Sequence, residues 1–203
     1  MTIFYLDLEC DDLAGTNLLQ IACMSDKNKI FNGFCTTTIS LSQRCTQLTG
    51  FHTKEGKLFQ HSKELKTHEK RHILESFNKW LSANTIGLIS LIAHNGHGYD
   101  YRVLFKHFLS CELEIVPCVH YCDSLTSIRK LFGVLLPCCS LASLTERYGL
   151  NNSKPHNGLA DCIVLKQICE KIISEHKLPA DYFIRNFKLQ TDFGKNGRRA
   201  KQN

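Results

Sequence analysis

Thr2-Ile3-Phe4-Tyr5-Leu6-Asp7-Leu8-Glu9 is the stretch around which the chain is organised. It is apolar and aromatic until two carboxylates appear, two residues apart, near its end. Side chains at i and i+2 of a strand point to the same face, so Asp7 and Glu9 project together from a strand that reads as central and buried. Two unpaired negative charges there would cost several kcal/mol each. A cation must sit between them. Either a buried arginine or lysine provides it, or hard divalent metal ions do, since these prefer carboxylate oxygens.

Working outward, Asn17–Ser25 and Lys29–Cys35 read as two further strands around the turn signal Asp26-Lys27-Asn28, which makes an antiparallel meander. A short helix is expected over 40–45, a turn at Leu48-Thr49-Gly50-Phe51, and an amphipathic helix over 62–82 with Trp80 as a core anchor. Gly50 to Lys57 imitates a phosphate loop, but five residues separate its glycines and Leu58 follows the lysine. Gly87–Ala93 is a continuous apolar run, as in a strand buried on both faces. It ends in His94-Asn95-Gly96-His97-Gly98-Tyr99-Asp100, which leads into a helix over 101–108. A fifth strand is expected over 114–118, then helices over 124–132 and 140–148, the latter capped by Ser140. The polar stretch Asn151–Pro155 precedes His156 and a long helix from Gly158 to about Glu175, whose apolar positions share one broad face. The order β-β-β-α-β-α-β-α-α predicts a mixed five-stranded sheet with helices on both sides.

A chain of 203 residues with 43% hydrophobic content can build one sizeable core. Residues 1–178 are expected to form one domain, and 179–203 a short helix and a basic, disordered tail around Arg198-Arg199-Ala200-Lys201. The net charge of +6 fits an anionic partner without naming one. No apolar run approaches ~18 residues, so no membrane span is expected. Eleven cysteines, odd in number, scattered through apolar stretches and preceded by no leader, predict free thiols and an intracellular setting, cytoplasmic or nuclear. Cys118-x-His120-x-Cys122 and His68-x3-His72 read as zinc decoys. Asn151-Asn152-Ser153 is a glycosylation sequon that such a chain would never present to the enzyme.

Asp100 and Asp161 complete the acid set, one where the fourth strand's loop enters a helix and the other in the first turn of the long helix. Crossover connections place such loops at one edge of an open sheet, so the four acids can converge. Two magnesium or manganese ions are the arrangement by which phosphodiester-cleaving enzymes tolerate such a cluster. His156, just before the helix carrying Asp161, would be kept neutral by the helix N-terminus and able to accept a proton. A buried salt-bridge scaffold is the rival, with only Arg102 and Lys154 nearby to neutralise four acids.

The ordered set Asp7-x-Glu9, His94-Asn95-Gly96-x-x-Tyr99-Asp100 and His156-x4-Asp161 resembles the three motifs of the DEDDh exonucleases, in particular the three-prime repair exonucleases (TREX type). Leu48-Thr49-Gly50-Phe51, Cys122-Asp123-Ser124-Leu125 and Ser140-Leu141 match further elements of that group, and the similarity runs from about Ile3 to Cys169. The domain also resembles the exonuclease-like C-terminal module of some long promyelocytic leukaemia protein forms and their free-standing relatives. The resemblance implies an RNase H-like fold and two Mg²⁺ ions, with Mn²⁺ able to substitute. It implies hydrolysis of DNA from the 3′ end to nucleoside 5′-monophosphates, single strands first, with RNA as a further substrate and a homodimer as an assembly. Asp7, Glu9, Asp100 and Asp161 would be metal ligands and His156 the general base. Leu13 and Leu48 would pack on the terminal bases, and Asn95 and Tyr99 would hold the 3′-terminal nucleotide. Cys10-Asp11-Asp12 adds acids that could repel phosphate, and Gly98 stands where relatives often carry arginine. These departures bear on rate and affinity more than on mechanism; Cys10-Asp11-Asp12 is the best support for an alternative, a weak or inactive module of the same fold that binds nucleic acid or protein.

Overall fold

The computed structural model describes residues 1–117, 119–136, 138–152 and 156–194. Its centre is β1 (Thr2–Cys10), paired antiparallel with β2 (Leu18–Ser25), which pairs antiparallel with β3 (Ile30–Cys35). On the other side of β1 lies β8 (Ile89–Ala93), and beyond it β9 (Val119–Asp123), both parallel to β1. These are the five long strands of a mixed sheet. Two-residue strands finish its edges, β7 (Thr67–His68) beside β3 and β10 (Phe187–Lys188) beside β9. A separate three-stranded sheet comprises β4 (Phe51–Lys54), β5 (Lys57–Gln60) and β6 (Lys63–Glu64).

Helices cover both faces. α2 (Lys70–Ala83) and α3 (Asp100–Ser110) pack on one, in a core that includes Phe4, Leu6 and Leu8. α4 (Ser124–Phe132), α5 (Leu141–Arg147) and α6 (Gly158–Glu175) pack on the other, against Tyr5 and Ala22. Alternation along β1 therefore decides the site: Phe4, Leu6 and Leu8 anchor the strand at about 2 kcal/mol of buried apolar surface each. Asp7 and Glu9 fall on the α6 side with Tyr5.

Three elements have boundaries that differ from the sequence expectation. The fifth strand begins at Val119, because Pro117 has no N–H to give a ladder. Ile115 is buried, and Val116 N–H donates to Asn78 Oδ1 at 3.2 Å instead. The helix expected over 40–45 is α1 (Gln43–Thr49), bracketed by Ser42, whose side chain accepts from Cys45 N–H, and by left-handed Gly50 (φ 72°). The first third of the helix expected over 62–82 is β6 and β7, so α2 starts at Lys70. Gly50 to Lys57 caps α1 and then turns the β4–β5 hairpin at Glu55-Gly56, both with positive φ.

From residue 179 to residue 194 the chain stays on the body. Phe183 and Ile184 are buried, and α7 (Gln190–Gly194) lays Phe193 among Tyr101, Phe105 and Tyr121. The basic stretch 198–201 lies outside the described residues, as do Cys118 and Lys154. The ten described cysteines are free thiols. His68 and His72 rings lie 5.0 Å apart, and His120 stacks on Phe187 at 3.6 Å. No helix among the described residues is long and apolar enough to cross a membrane.

Candidate active site

Asp7 and Glu9 on β1 meet Asp161 in the first turn of α6, and one carboxylate oxygen from each lies within 4.8 Å of the other two. Glu9 and Asp161 are buried, and Asp7 is half-buried. Asp100 opens α3 beside them, with Oδ1 accepting from Leu8 N–H at 3.2 Å. It stands outside the tight trio but near enough that its charge bears on Asp7 and Glu9.

The electrostatics are those of a cluster whose acids, among the described residues, have no lysine or arginine partner. Burial, then repulsion from Asp161 and Asp100, pushes the Glu9 carboxyl up to about 9. Asp7 is raised well above the carboxylate range by burial and then by Glu9, Asp100 and Asp161. Burial raises Asp100 to about 7 against the N–H groups that stabilise its anion. Asp161 is raised by burial and eased by the Asn152 amide, which donates to Oδ1 at 2.7 Å. Among the described residues no lysine or arginine pairs with any of the four. Arg102, a candidate for a buried salt bridge, instead donates to the His97 carbonyl at the surface. The donor set, all carboxylate oxygen and without a cationic partner among the described residues, fits hard divalent cations.

The N-terminus of α6 is tied in place by residues to which the sequence reading gave no anchoring role. Asn157 caps it, with Oδ1 accepting from Ala160 N–H at 3.2 Å and Nδ2 donating to Gln60 Oε1 at 2.8 Å. Gly158 N–H donates to Gln20 Oε1 at 3.2 Å, and Gln20 Nε2 donates to Asn32 Oδ1 at 2.7 Å. Gln20 is fully buried and sits opposite Glu9 in the β1–β2 register. A glutamine inside the apolar run of β2 was the available signal. Gly158 is tightly enclosed: a Cβ would lie 3.0 Å from Ala22 Cβ and 3.2 Å from both Asp7 Oδ2 and Gln20 Oε1.

His156 has φ 59°, donates its backbone N–H to Asp161 Oδ2 at 3.0 Å, and exposes its side chain. It lines two pockets that flank the acids. One, of about 420 Å³, is walled by Glu9, Leu13, Leu48 and Tyr99, with Arg44 at its rim; the other, of about 340 Å³, by Asp7, Asp161, His94 and Thr145. Leu13 is 83% exposed and Leu48 51%. Asn95 is not brought to either pocket. It holds a left-handed turn (φ 64°), its carbonyl accepting from Gly98 and Tyr99 N–H. A side chain at 98 would strike its Oδ1, since a Cβ there would lie 2.6 Å away.

The two additional acids are engaged by their own loop. Asp11 accepts from the backbone and side-chain amides of Asn17, and Asp12 Oδ1 from Thr16 N–H. Tyr99 Oη donates to the Asp12 carbonyl, and Lys106 Nζ to those of Ala14 and Gly15. Both residues still line the larger of the two pockets.

The fold and site have counterparts in known proteins. The structure superposes on E. coli exonuclease I in complex with a dA16 oligonucleotide with a TM-score of 0.69 at 14% identity, over 87% of this chain and 42% of that one. The dT13 complex gives 0.70 at 14%, over 89% and 43%. Exonuclease DPD1, chloroplastic/mitochondrial, of Arabidopsis thaliana is 30% identical over 97 residues, 45% of this chain and 31% of that protein. The chain thus spans under half the length of these relatives. The exonuclease model of the RNase_T type matches residues 5–169, and the chain belongs to that exonuclease family.

Proposed function

We infer that the protein is a metal-dependent 3′→5′ exonuclease acting on DNA, single strands first, and releasing nucleoside 5′-monophosphates. The observation that carries this reading is the trio Asp7, Glu9 and Asp161, clustered within 4.8 Å without a cationic partner among the described residues and set between two pockets with His156 on both. Asp7, Glu9, Asp100 and Asp161 would hold two Mg²⁺ ions, for which Mn²⁺ can substitute. When bound, such ions neutralise the carboxylates, lower the pKa of a water and offset charge on the phosphate oxygens.

The side chains divide the remaining work. His156 accepts the proton of the attacking water on an imidazole nitrogen, from a backbone fixed by its N–H bond to Asp161. Leu13, Leu48 and Tyr99 offer apolar and aromatic surface to the terminal nucleotide without reading its base. Gln20 and Asn157 hold the helix that presents Asp161. Exonuclease I bound to oligonucleotides supports a single-stranded substrate by likeness of fold. The loop's use of Asp11 and Asp12 weakens the case for an inactive module.

A single-stranded oligonucleotide labelled at its 5′ end tests the reading. With Mg²⁺ it should give a ladder of shortening labelled products, and Asp161→Ala or His156→Ala should leave it intact. Release of the label as a mononucleotide at the outset would reverse the polarity, and an intact substrate in both Mg²⁺ and Mn²⁺ would leave only a binding module.

A further inference from the structure

A second groove adjoins the cleft on the far side of Asn157. Two hollows of about 510 Å³ each share Asn32, Phe34, Lys63 and Leu65, and so form one trough between β3 and the β5–β6 hairpin. Its near end is Asn157, the residue after His156. The far end reaches Lys66, His68 and His72.

The lining is donor-rich and poor in acid. Lys63 and Lys66 are exposed, and among the described residues neither has a carboxylate partner. The single lining acid, Glu64, is taken by Lys57 at 2.9 Å. Phe31 and Phe34 are half-buried along the floor, and amides of Asn32, Gln60 and Asn157 stand beside them. Unpaired lysines interleaved with partly exposed aromatic rings are what a single-stranded polynucleotide requires, charge for its phosphates and flat surface for its bases.

We propose that this trough is a second nucleic-acid subsite, holding the sugar-phosphate backbone of a single strand several nucleotides 5′ of the end that lies in the cleft. The proposal rests on the nuclease reading above. Lys63 and Lys66 would contact phosphates, Phe34 would carry a base, and the Asn157–Gln60 bond would form the wall between trough and cleft. Substrates long enough to reach the trough would bind more tightly than those filling the cleft alone.

The test is the double variant Lys63→Glu/Lys66→Glu, whose exposed positions should leave the melting temperature unchanged. Hydrolysis of a trinucleotide and of a 20-nucleotide single strand is compared, with anisotropy of the labelled 20-mer as a readout independent of cleavage. For the 20-mer, kcat/KM should fall roughly tenfold or more and binding should weaken in step. The slope of log affinity against log salt should become shallower by about 1.4, for two phosphate contacts on a single strand. The trinucleotide should be cut as before.

Equal effects on both lengths, or on neither, would overturn the subsite. So would a wild-type dimer that the substitutions convert to a monomer, because the trough would then be a contact between copies. If wild-type protein cuts neither length, the nuclease reading fails instead, and anisotropy of the two proteins still decides the trough.

Discussion

Two buried carboxylate sites lie at the same end of the sheet, and the molecule treats them in opposite ways. Asp123, at the end of β9, is 4% exposed and accepts N–H bonds from Asn95 at 3.2 Å, His97 at 3.1 Å and Thr126 at 3.2 Å. It caps α4 and fastens the loop that delivers Tyr99 and Asp100. Asp7 and Glu9, two strands away, receive no hydrogen bond from a described residue and face each other's charge. A buried acid satisfied by N–H groups holds a fold together. Buried acids left to repel one another weaken it until something cationic arrives, and selection tolerates that only where the cation is used.

Exchanging the two treatments gives the largest effect. Glu9→Gln should cut hydrolysis by roughly a thousandfold or more, the scale of several kcal/mol of lost charge stabilisation. It should also raise the melting temperature of chelator-treated protein at pH 8. Asp123→Ala should do the reverse in stability, costing about 2–3 kcal/mol by orphaning three N–H groups, while calorimetry still registers Mn²⁺ uptake. A Glu9→Gln protein that melts lower than wild type without metal would erase the contrast.

The same contrast sets a pH dependence. Glu9 titrates near 9 in the fold against about 4.5 unfolded, and Asp100 near 7 against 3.8. Between those values the folded state binds more protons than the unfolded chain, so stability falls as pH rises. As far as this cluster is concerned, the metal-free protein should therefore be most stable below about pH 4, where the groups are protonated in both states, and should lose stability progressively from there up to about pH 9. At pH 8, Mn²⁺ at a hundredfold over its Kd should restore about 2.7 kcal/mol, read as a rise in melting temperature. A metal-free melting temperature that climbs across pH 5 to 9 would contradict the cluster's electrostatics.

Much of this site was legible because its rules are local. Asp7 and Glu9 share a face by the two-residue period of a strand, and Asp161 stands in the first turn of a helix whose apolar face runs to Ile172. What escaped depended on partners far along the chain. The role of Gln20 exists only because Gly158, 138 residues away, needs an acceptor. β7 and β10 have two residues each, too short to show a period, and their pairing is set by the strands they border. Asn95 was read as a nucleotide contact from resemblance; the turn it forms, with a left-handed backbone whose carbonyl accepts from Gly98 and Tyr99 N–H, was not read at all.

Gly158→Ala probes the boundary between the two treatments more gently. The added methyl must displace Ala22 or the Asp7 carboxylate by a few tenths of an ångström. A stability cost of about 1–2 kcal/mol is expected from the overpacking, with activity down about tenfold as Asp7 shifts against Glu9 and Asp161. Undiminished kcat would mean that the placement of Asp7 tolerates more than the geometry allows.

The smallest expected effect concerns apolar groups placed against the ordinary preference, as the acids are. Leu13, 83% exposed, contributes little burial, so Leu13→Ala should move the melting temperature by no more than about 0.5 kcal/mol of stability. Its surface is available only to something entering the pocket it shares with Leu48 and Tyr99. If that is the terminal base, the lost contact is about 1 kcal/mol, the low end for stacking on a side chain, and KM for a single-stranded substrate should rise roughly fivefold. Because Leu13 is not among the metal-cluster residues, kcat should stay within about twofold of wild type. A fall in kcat at unchanged KM would assign Leu13 to the reacting geometry, and the leucine and the carboxylates would no longer be separable in function.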